Sequence, residues 1–421
     1  MTIAILIIIL LSFFLIFVFL EKPKIILYLI PIVIPFRFTL ANIGNFDVRL
    51  SDAVFIYWIV VWSLLLLVRK VNLENFITQR KIIIFLFYSA ICTLLGAVNG
   101  MNFSSIAELL RLLIIVITGV SITTIINDDE TINSFFSFWS IGSLVSSLYS
   151  IVFFYVNGFR IQQFIGIMNS SVKDFYEFKF ASSSLFEDPN NFASYLIVGL
   201  FISYGLLKTK KSFLSNKQLK IIIFVQLLAF ILTLSRGAYI GLFAAIIINI
   251  FYINRTSYMR IIKSIILFVL FVMAILFIYK IFSQDYSAMS RLGLWRVGLD
   301  MTLSNPLFGV GLGNFPIYFF DYLKTNLLIV NPYTHNLFLK VSSETGVIGL
   351  LLFLNIFIGP LKYITKNHFF RKDEDVLLRY LILGLLAFLV QGVSVEYFTS
   401  RHFWILTSLI LLKLNGKFQT R

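Results

Sequence analysis

Apolar runs of membrane-crossing length recur along this chain from end to end, near residues 2–20, 25–36, 53–68, 82–98, 106–126, 132–157, 191–207, 220–234, 238–253, 264–282, 346–365, 377–396 and 403–416. Crossing a bilayer as a helix takes about 20 mostly apolar residues. Inside lipid, backbone polar groups must pair within one helix or around a closed barrel. Runs this long and this uniformly apolar are helices, not barrel strands. The hydrophobic content of 59% agrees, because soluble domains lie nearer about 45–50%. The expected fold is an all-α polytopic transmembrane helix bundle of about twelve to thirteen spans. It forms one membrane domain over residues 1–421. The count turns on whether residues 2–36 hold two full spans. Thr2 to Leu20 has neither a basic n-region nor a small-residue cleavage site, so it reads as a retained span and not as a signal peptide.

The connectors alternate in charge. One set carries most of the 35 basic residues, in clusters such as Lys208, Lys210, Lys211, Lys217 and Lys220. Cytoplasmic loops are the ones enriched in Lys and Arg, which puts the C-terminus inside and the N-terminus outside. The net charge of +15 has the same origin, and no nucleic-acid partner is expected. The single cysteine, Cys92, lies in an apolar run and allows no intramolecular disulfide.

Two outer connectors are long, about 158–190 and 283–345. Loops of that length in a compact protein usually carry function, so 283–345 is read as a large extracytoplasmic loop holding much of the chemistry. Arg236, in Leu-Ser-Arg-Gly-Ala, falls at the outer end of a helix hairpin. An ionisable residue at a membrane boundary is a functional candidate or a snorkelling anchor, and Gly237 beside it would admit a ligand close to the backbone. Leu292, Trp295 and Leu299 recur at helical spacing, which predicts a short amphipathic surface helix ended by Pro306. Arg291 and Arg296 on it suit an anionic ligand or lipid phosphates, and Asp300 stands four residues after Arg296. The run Gly309-Val-Gly311-Leu-Gly313 reads as a flexible turn or a phosphate nest. In Asn331-Pro-Tyr-Thr334-His335-Asn336, Thr334 is the expected N-cap. His335 then falls in a first helical turn, where the dipole keeps imidazole neutral and fit to accept a proton. His402 reads as an interface anchor. Asp188-Pro-Asn190-Asn191 is a helix start in which Asn190 could hold a sugar hydroxyl, and Arg160 lies in the same outer connector. Arg111, inside a span, should face the bundle interior. No metal-ligand spacing or P-loop occurs in the sequence, so a metal-free mechanism is expected.

Ser235-Arg236-Gly237, the stretch from Arg291 through Trp295 to Pro306 and Gly309-x-Gly311, and His335-Asn336 with Glu344-Thr345-Gly346 together resemble the superfamily of O-antigen ligases and Wzy-type polysaccharide polymerases. Ten residues separate His335 from Gly346, as in the ligase-type His-x10-Gly pattern. The family's Arg-x3-Leu pattern is met only approximately, since Ile240 follows Arg236 at that distance. The resemblance spans about residues 185–360. It implies a GT-C-like, inverting, metal-independent glycosyltransferase without a cofactor, in a bacterial cytoplasmic (inner) membrane. Its active site would face the periplasm or exterior. The implied donor is an undecaprenyl-diphosphate-linked glycan, and the acceptor is a second glycan or lipid A core. Within it, Arg236 and Arg291 would bind the donor diphosphate, with Arg160 a third contact. His335 would orient or deprotonate the acceptor, and Asn336 would fix His335 or a sugar. A polymerase is expected first, as the more varied group, and a ligase second. A lipid-linked glycan transporter is the reading from another class.

Overall fold

The apolar runs become helices because a segment without enough polar side chains to solvate its backbone has to bond internally. The computed structural model describes residues 16, 18–37, 39–43, 46–71, 73–97, 103–156, 183–186, 188–253, 262–263, 265–266, 268–270, 286–323, 332–365 and 375–415. Its helices are α1 (Pro23–Val33), α2 (Leu50–Leu67), α3 (Glu74–Ile77), α4 (Arg80–Ala97), α5 (Phe103–Ile125), α6 (Asp129–Val156), α7 (Pro189–Thr209) and α8 (Asn216–Leu232). They continue as α9 (Arg236–Ile253), α10 (Tyr286–Ser304), α11 (Phe315–Tyr322), α12 (Leu337–Thr365), α13 (Val376–Gln391) and α14 (Arg401–Leu414). One two-stranded antiparallel hairpin, β1 (Thr39–Ile43) with β2 (Phe46–Arg49), interrupts them. The architecture is that of an all-α polytopic membrane protein. Among the described residues, five helices are long and apolar enough to cross a bilayer, namely α2, α5, α6, α7 and α12. The expected run at 2–20 and most of the one at 264–282 lie outside the described residues.

The chain divides into two compact units: Met1–Arg80, Leu113–Leu234 and Arg401–Arg421 form the first, and Lys81–Leu112 with Ser235–Ser400 the second. In the first unit α6 packs against α1, α7 and α8. Its buried face is lined by serines, including Ser140, Ser143 and Ser147, small residues of the kind that let apolar helices approach closely. Gln226 of α8 donates to Ser203 of α7 at 3.2 Å, and Ser203 donates to Ser140 at 2.9 Å. Asp52, in the first turn of α2, is ion-paired with Arg401, and both side chains are only 2% exposed. His402 is not at an interface, as the sequence suggested. It is buried, 3.0 Å from the Ser194 hydroxyl, with its ring edge-on to Tyr195. Removing one member of a buried ion pair costs about 3–5 kcal/mol, while replacing both by apolar groups is often neutral. Arg401→Met should therefore lower the thermal midpoint in detergent sharply, and Asp52→Leu added to it should restore much of the loss. Equal midpoints for the single variant and the parent would contradict that.

In the second unit α9 packs along α13, and α10 and α11 pack on α12. Leu294, Val297 and Met301 of α10 form a buried cluster with Val310, Phe315 and Phe319. The apolar stripe that the sequence singled out on α10 does not meet protein in this unit. Leu292 and Leu299 are half-exposed, and with Arg296 and Leu303 they form an outward stripe. The helix is apolar on two sides, so spacing alone did not reveal which side meets protein.

Candidate active site

Helix α12 begins one residue after Asn336. The Asn336 side-chain oxygen accepts from the N–H groups of Phe338 and Leu339 at 3.0 and 3.1 Å, so Asn336, not Thr334, is the N-cap. The cap engages the side-chain oxygen of Asn336, which leaves its Nδ2 group as the donor for the role the sequence suggested. His335 precedes the cap. Its φ of +45° lies in the left-handed region, where residues with a Cβ are uncommon although His is among the more tolerant. The conformation is held from outside. The His335 N–H donates to the Glu396 carboxylate at 3.2 Å, the Thr334 hydroxyl donates to the same oxygen, and the Leu337 N–H donates to the Gly392 carbonyl at 2.7 Å. The segment 392–396 thus clamps the turn on both sides of His335.

Arg236 is the first residue of α9 and is half-buried. The space beside Gly237, expected to admit a ligand, is filled by Ser394 and Gln391. That contact places the start of α9 against the same 391–396 segment that holds His335. Arg291 joins from α10. Gly298 faces Leu339, and the Thr302 hydroxyl lies 3.0 Å from that of Ser342, so α10 and α12 run side by side in the same direction. Arg291 continues the α10 stripe through Gly298 and Thr302, which leads to the N-terminal end of α12, and it is half-buried. Arg296 sits on the outward stripe instead and is exposed. The second unit therefore holds the start of α9, which carries Arg236, and the His335–Asn336 turn against one segment, 391–396, sets the α10 stripe that includes Arg291 along α12, and turns Arg296 outward. Asn190 belongs to the first unit, in the first turn of α7, where the Asp188 side chain accepts from the N–H groups of Asn190 and Asn191 as the N-cap. Arg160 lies outside the described residues.

Below the His335 turn lies a buried charged chain that the sequence reading did not find. The Lys340 ammonium is 3.0 Å from Glu344 and 3.9 Å from Glu108, and Glu108 is 3.4 Å from Arg111. Arg111 faces inward, as a charge inside a span must. Glu344 is fully buried. The i,i+4 spacing of Lys340 and Glu344 was the available signal. Glu396 had none, because the apolar run 377–396 appeared to absorb it, whereas α13 ends at Gln391. Burial pushes the Glu396 carboxyl up to about 6, against the pull of Lys340 and the Thr334 hydrogen bond.

The glycine run has its own role. Gly346, ten residues beyond His335, has φ +71° and ψ −178° and breaks α12. This region of backbone space is essentially confined to glycine. The break frees carbonyls and N–H groups that must find partners. Val310 and Gly311 donate to the Ser343 and Glu344 carbonyls at 2.9 and 3.0 Å, and Val347 donates to Pro306 at 2.7 Å. A side chain on Gly309 would collide with the backbone of Glu344 and Thr345, and one on Gly346 with the Leu307 carbonyl. The loop is a wedge fitted into the helix break. Its N–H groups are spent there, so it is neither a phosphate nest nor a loose turn. A cavity of about 370 Å³ lies beside this wedge, lined in part by Gly96, Asn305, Phe308, Tyr318 and Tyr322. It sits at the break of α12, away from His335. Among the described residues no group of three or more His, Cys, Asp and Glu side chains is placed to hold a metal ion.

Helices of this apolarity make the chain an integral membrane protein. Its residues 221–354, from within α8 to within α12, match the family model described as O-antigen ligase (Wzy_C). The teichuronic acid biosynthesis protein TuaE of Bacillus subtilis (strain 168) is 23% identical over 254 residues, which cover 55% of this chain and 52% of that protein. The chain thus spans about half the length of the curated relative it matches. Arg236, Arg291, Arg296, His335 and Asn336 all fall inside the matched segment, and Glu396 lies beyond it.

Proposed function

We propose that this protein is a glycosyltransferase of the outer face of a bacterial cytoplasmic membrane, acting on a glycan carried by undecaprenyl diphosphate. The observation that supports it is the convergence at the N-terminus of α12. His335 and the start of α9, which carries Arg236, are both held against residues 391–396, and the α10 stripe bearing Arg291 leads to the same end. The acceptor hydroxyl oxygen attacks C1 of the donor sugar, and the new C1–O bond forms as the C1–O(phosphate) bond breaks. The bonding pair leaves on the diphosphate, and the acceptor proton passes to His335. Attack opposite the leaving group inverts C1. Diphosphate is a good leaving group, so the main task is to hold its growing charge, and guanidinium forks aimed at it do so without reorganising.

The polymerase reading, in which repeat units are joined into longer chains, is favoured because the relative is named for teichuronic acid biosynthesis rather than for ligation. Ligation to lipid A core is the second reading, favoured by the description of the matched family. The two arginines of α10 separate this site from ordinary lipid contact. Arg291→Ala is expected to lower transfer about 100-fold or more, the scale of losing a donor to a developing oxyanion. Arg296→Ala, on the outward stripe, should change it less than about threefold. Initial rates of both purified variants, with folding checked by thermal unfolding, test this. Equal losses, or a sparing of Arg291→Ala, would remove Arg291 from the site.

A further inference from the structure

We propose that Glu396 is a positioning residue for this transfer, holding the Thr334–His335 turn in the conformation that presents the His335 side chain to the acceptor. The inference rests on the reading of His335 given above and adds a residue outside the matched segment.

Three observations carry it. One carboxylate oxygen of Glu396 accepts from both the Thr334 hydroxyl and the His335 N–H. The backbone it holds is the left-handed one at φ +45°, and such a conformation persists only where the surroundings over-determine it. The rest of the turn is tied to α12: the Thr334 hydroxyl also meets the Asn336 carbonyl at 3.1 Å, and Asn336 caps the helix. Removing the carboxylate leaves the cap in place and frees His335 to relax from its strained φ. This separates presentation of the histidine from folding of the helix.

The charged groups around Glu396 define when it works. Lys340 of α12 attracts its charge and Glu344 of α12 opposes it, while burial favours the neutral form, giving a carboxyl that titrates near 6. Glu108 and Arg111 of α5 lie one step further along the same chain through Lys340. Arg236 begins the α9 helix that packs on the neighbouring Ser394 side. The ionised carboxylate is the stronger acceptor for two donors, so activity should fall as pH drops through about 6. Stability runs the other way. A carboxyl raised in the fold contributes stability that is fully present below its unfolded value of 4.5 and lost as pH rises through about 6.

The test compares Glu396→Gln with the parent protein, purified in detergent, using a lipid-diphosphate-linked repeat unit as substrate. The expected result is a kcat about 10- to 100-fold lower with donor KM unchanged, and partial rescue by Glu396→Asp. If Glu396→Gln does not fold, Thr334→Val removes one of the two bonds and should lower kcat in the same direction. Wild-type kcat in a folded Glu396→Gln, or in Thr334→Val where that one is used, would overturn the proposal. His335→Ala run alongside distinguishes the two levels. If it is inactive while the Glu396 variants are normal, only the positioning role falls. If it too is fully active, the reading of His335 falls with it.

Discussion

His335→Ala is expected to lower glycosyl transfer by about 10²–10⁴-fold, the usual worth of a positioned general base. The donor KM should hardly move, since the diphosphate is assigned to Arg236 and Arg291 and not to the histidine. A residue that acts only in the transition state lowers kcat and kcat/KM together. The fold should tolerate the change. His335 precedes the cap, the Asn336 side chain holds the first turn of α12, and the Leu337 N–H keeps its bond to Gly392. Alanine is less at ease than histidine at a φ of +45°, so a small drop in thermal midpoint is expected. Initial rates over a range of donor concentrations separate the effects. A raised KM with normal kcat would move His335 from chemistry to binding.

Gly346→Val should be the most damaging single change to the fold. Its φ and ψ of +71° and −178° are those of a position essentially closed to β-branched residues. A Cβ there would meet the Leu307 carbonyl, and the wedge from Pro306 to Gly311 has no room to retreat, because it is hydrogen-bonded to Ser343, Glu344 and Val347. Strain and displaced packing together should cost about 3 kcal/mol or more. The expected outcome is little monodisperse protein by size exclusion in detergent, or a thermal midpoint far below that of the parent. Normal yield and midpoint would show that the break in α12 is not needed for folding. The break at Gly346 also gives the His-x10-Gly spacing a physical meaning. The ten residues span about 15 Å of helix, from the cap that follows His335 to the break that receives the wedge.

The helices were legible because a bilayer-length apolar run leaves the backbone no alternative, and α2, α5, α6 and α7 lie within a few residues of the runs that announced them. The residues assigned to the proposed site, Arg236, Arg291 and His335, stood out in the sequence as rare residue types beside apolar runs. What escaped were features that sequence spacing cannot encode. The break at Gly346 hid the first turns of α12, so the span seemed to start at residue 346 and not at Leu337. The end of α13 at Gln391 hid Glu396, which looked like the polar edge of a span. Thr334 and Asn336 are both good capping types, and only the backbone shows which of them bonds the first N–H groups. Helix α10 has apolar residues on both faces, so the partition of Arg291 and Arg296 required knowing where α12 lies. His402 carried no sign that Ser194 and Tyr195 would enclose it.

The central claim is tested most directly by incubating the purified protein in detergent with a lipid-diphosphate-linked repeat unit as the only glycan, and resolving the products by chain length. The account predicts a ladder of longer lipid-linked glycans that is absent with His335→Ala. No product with this substrate, and none when lipid A core is added as acceptor, would contradict it.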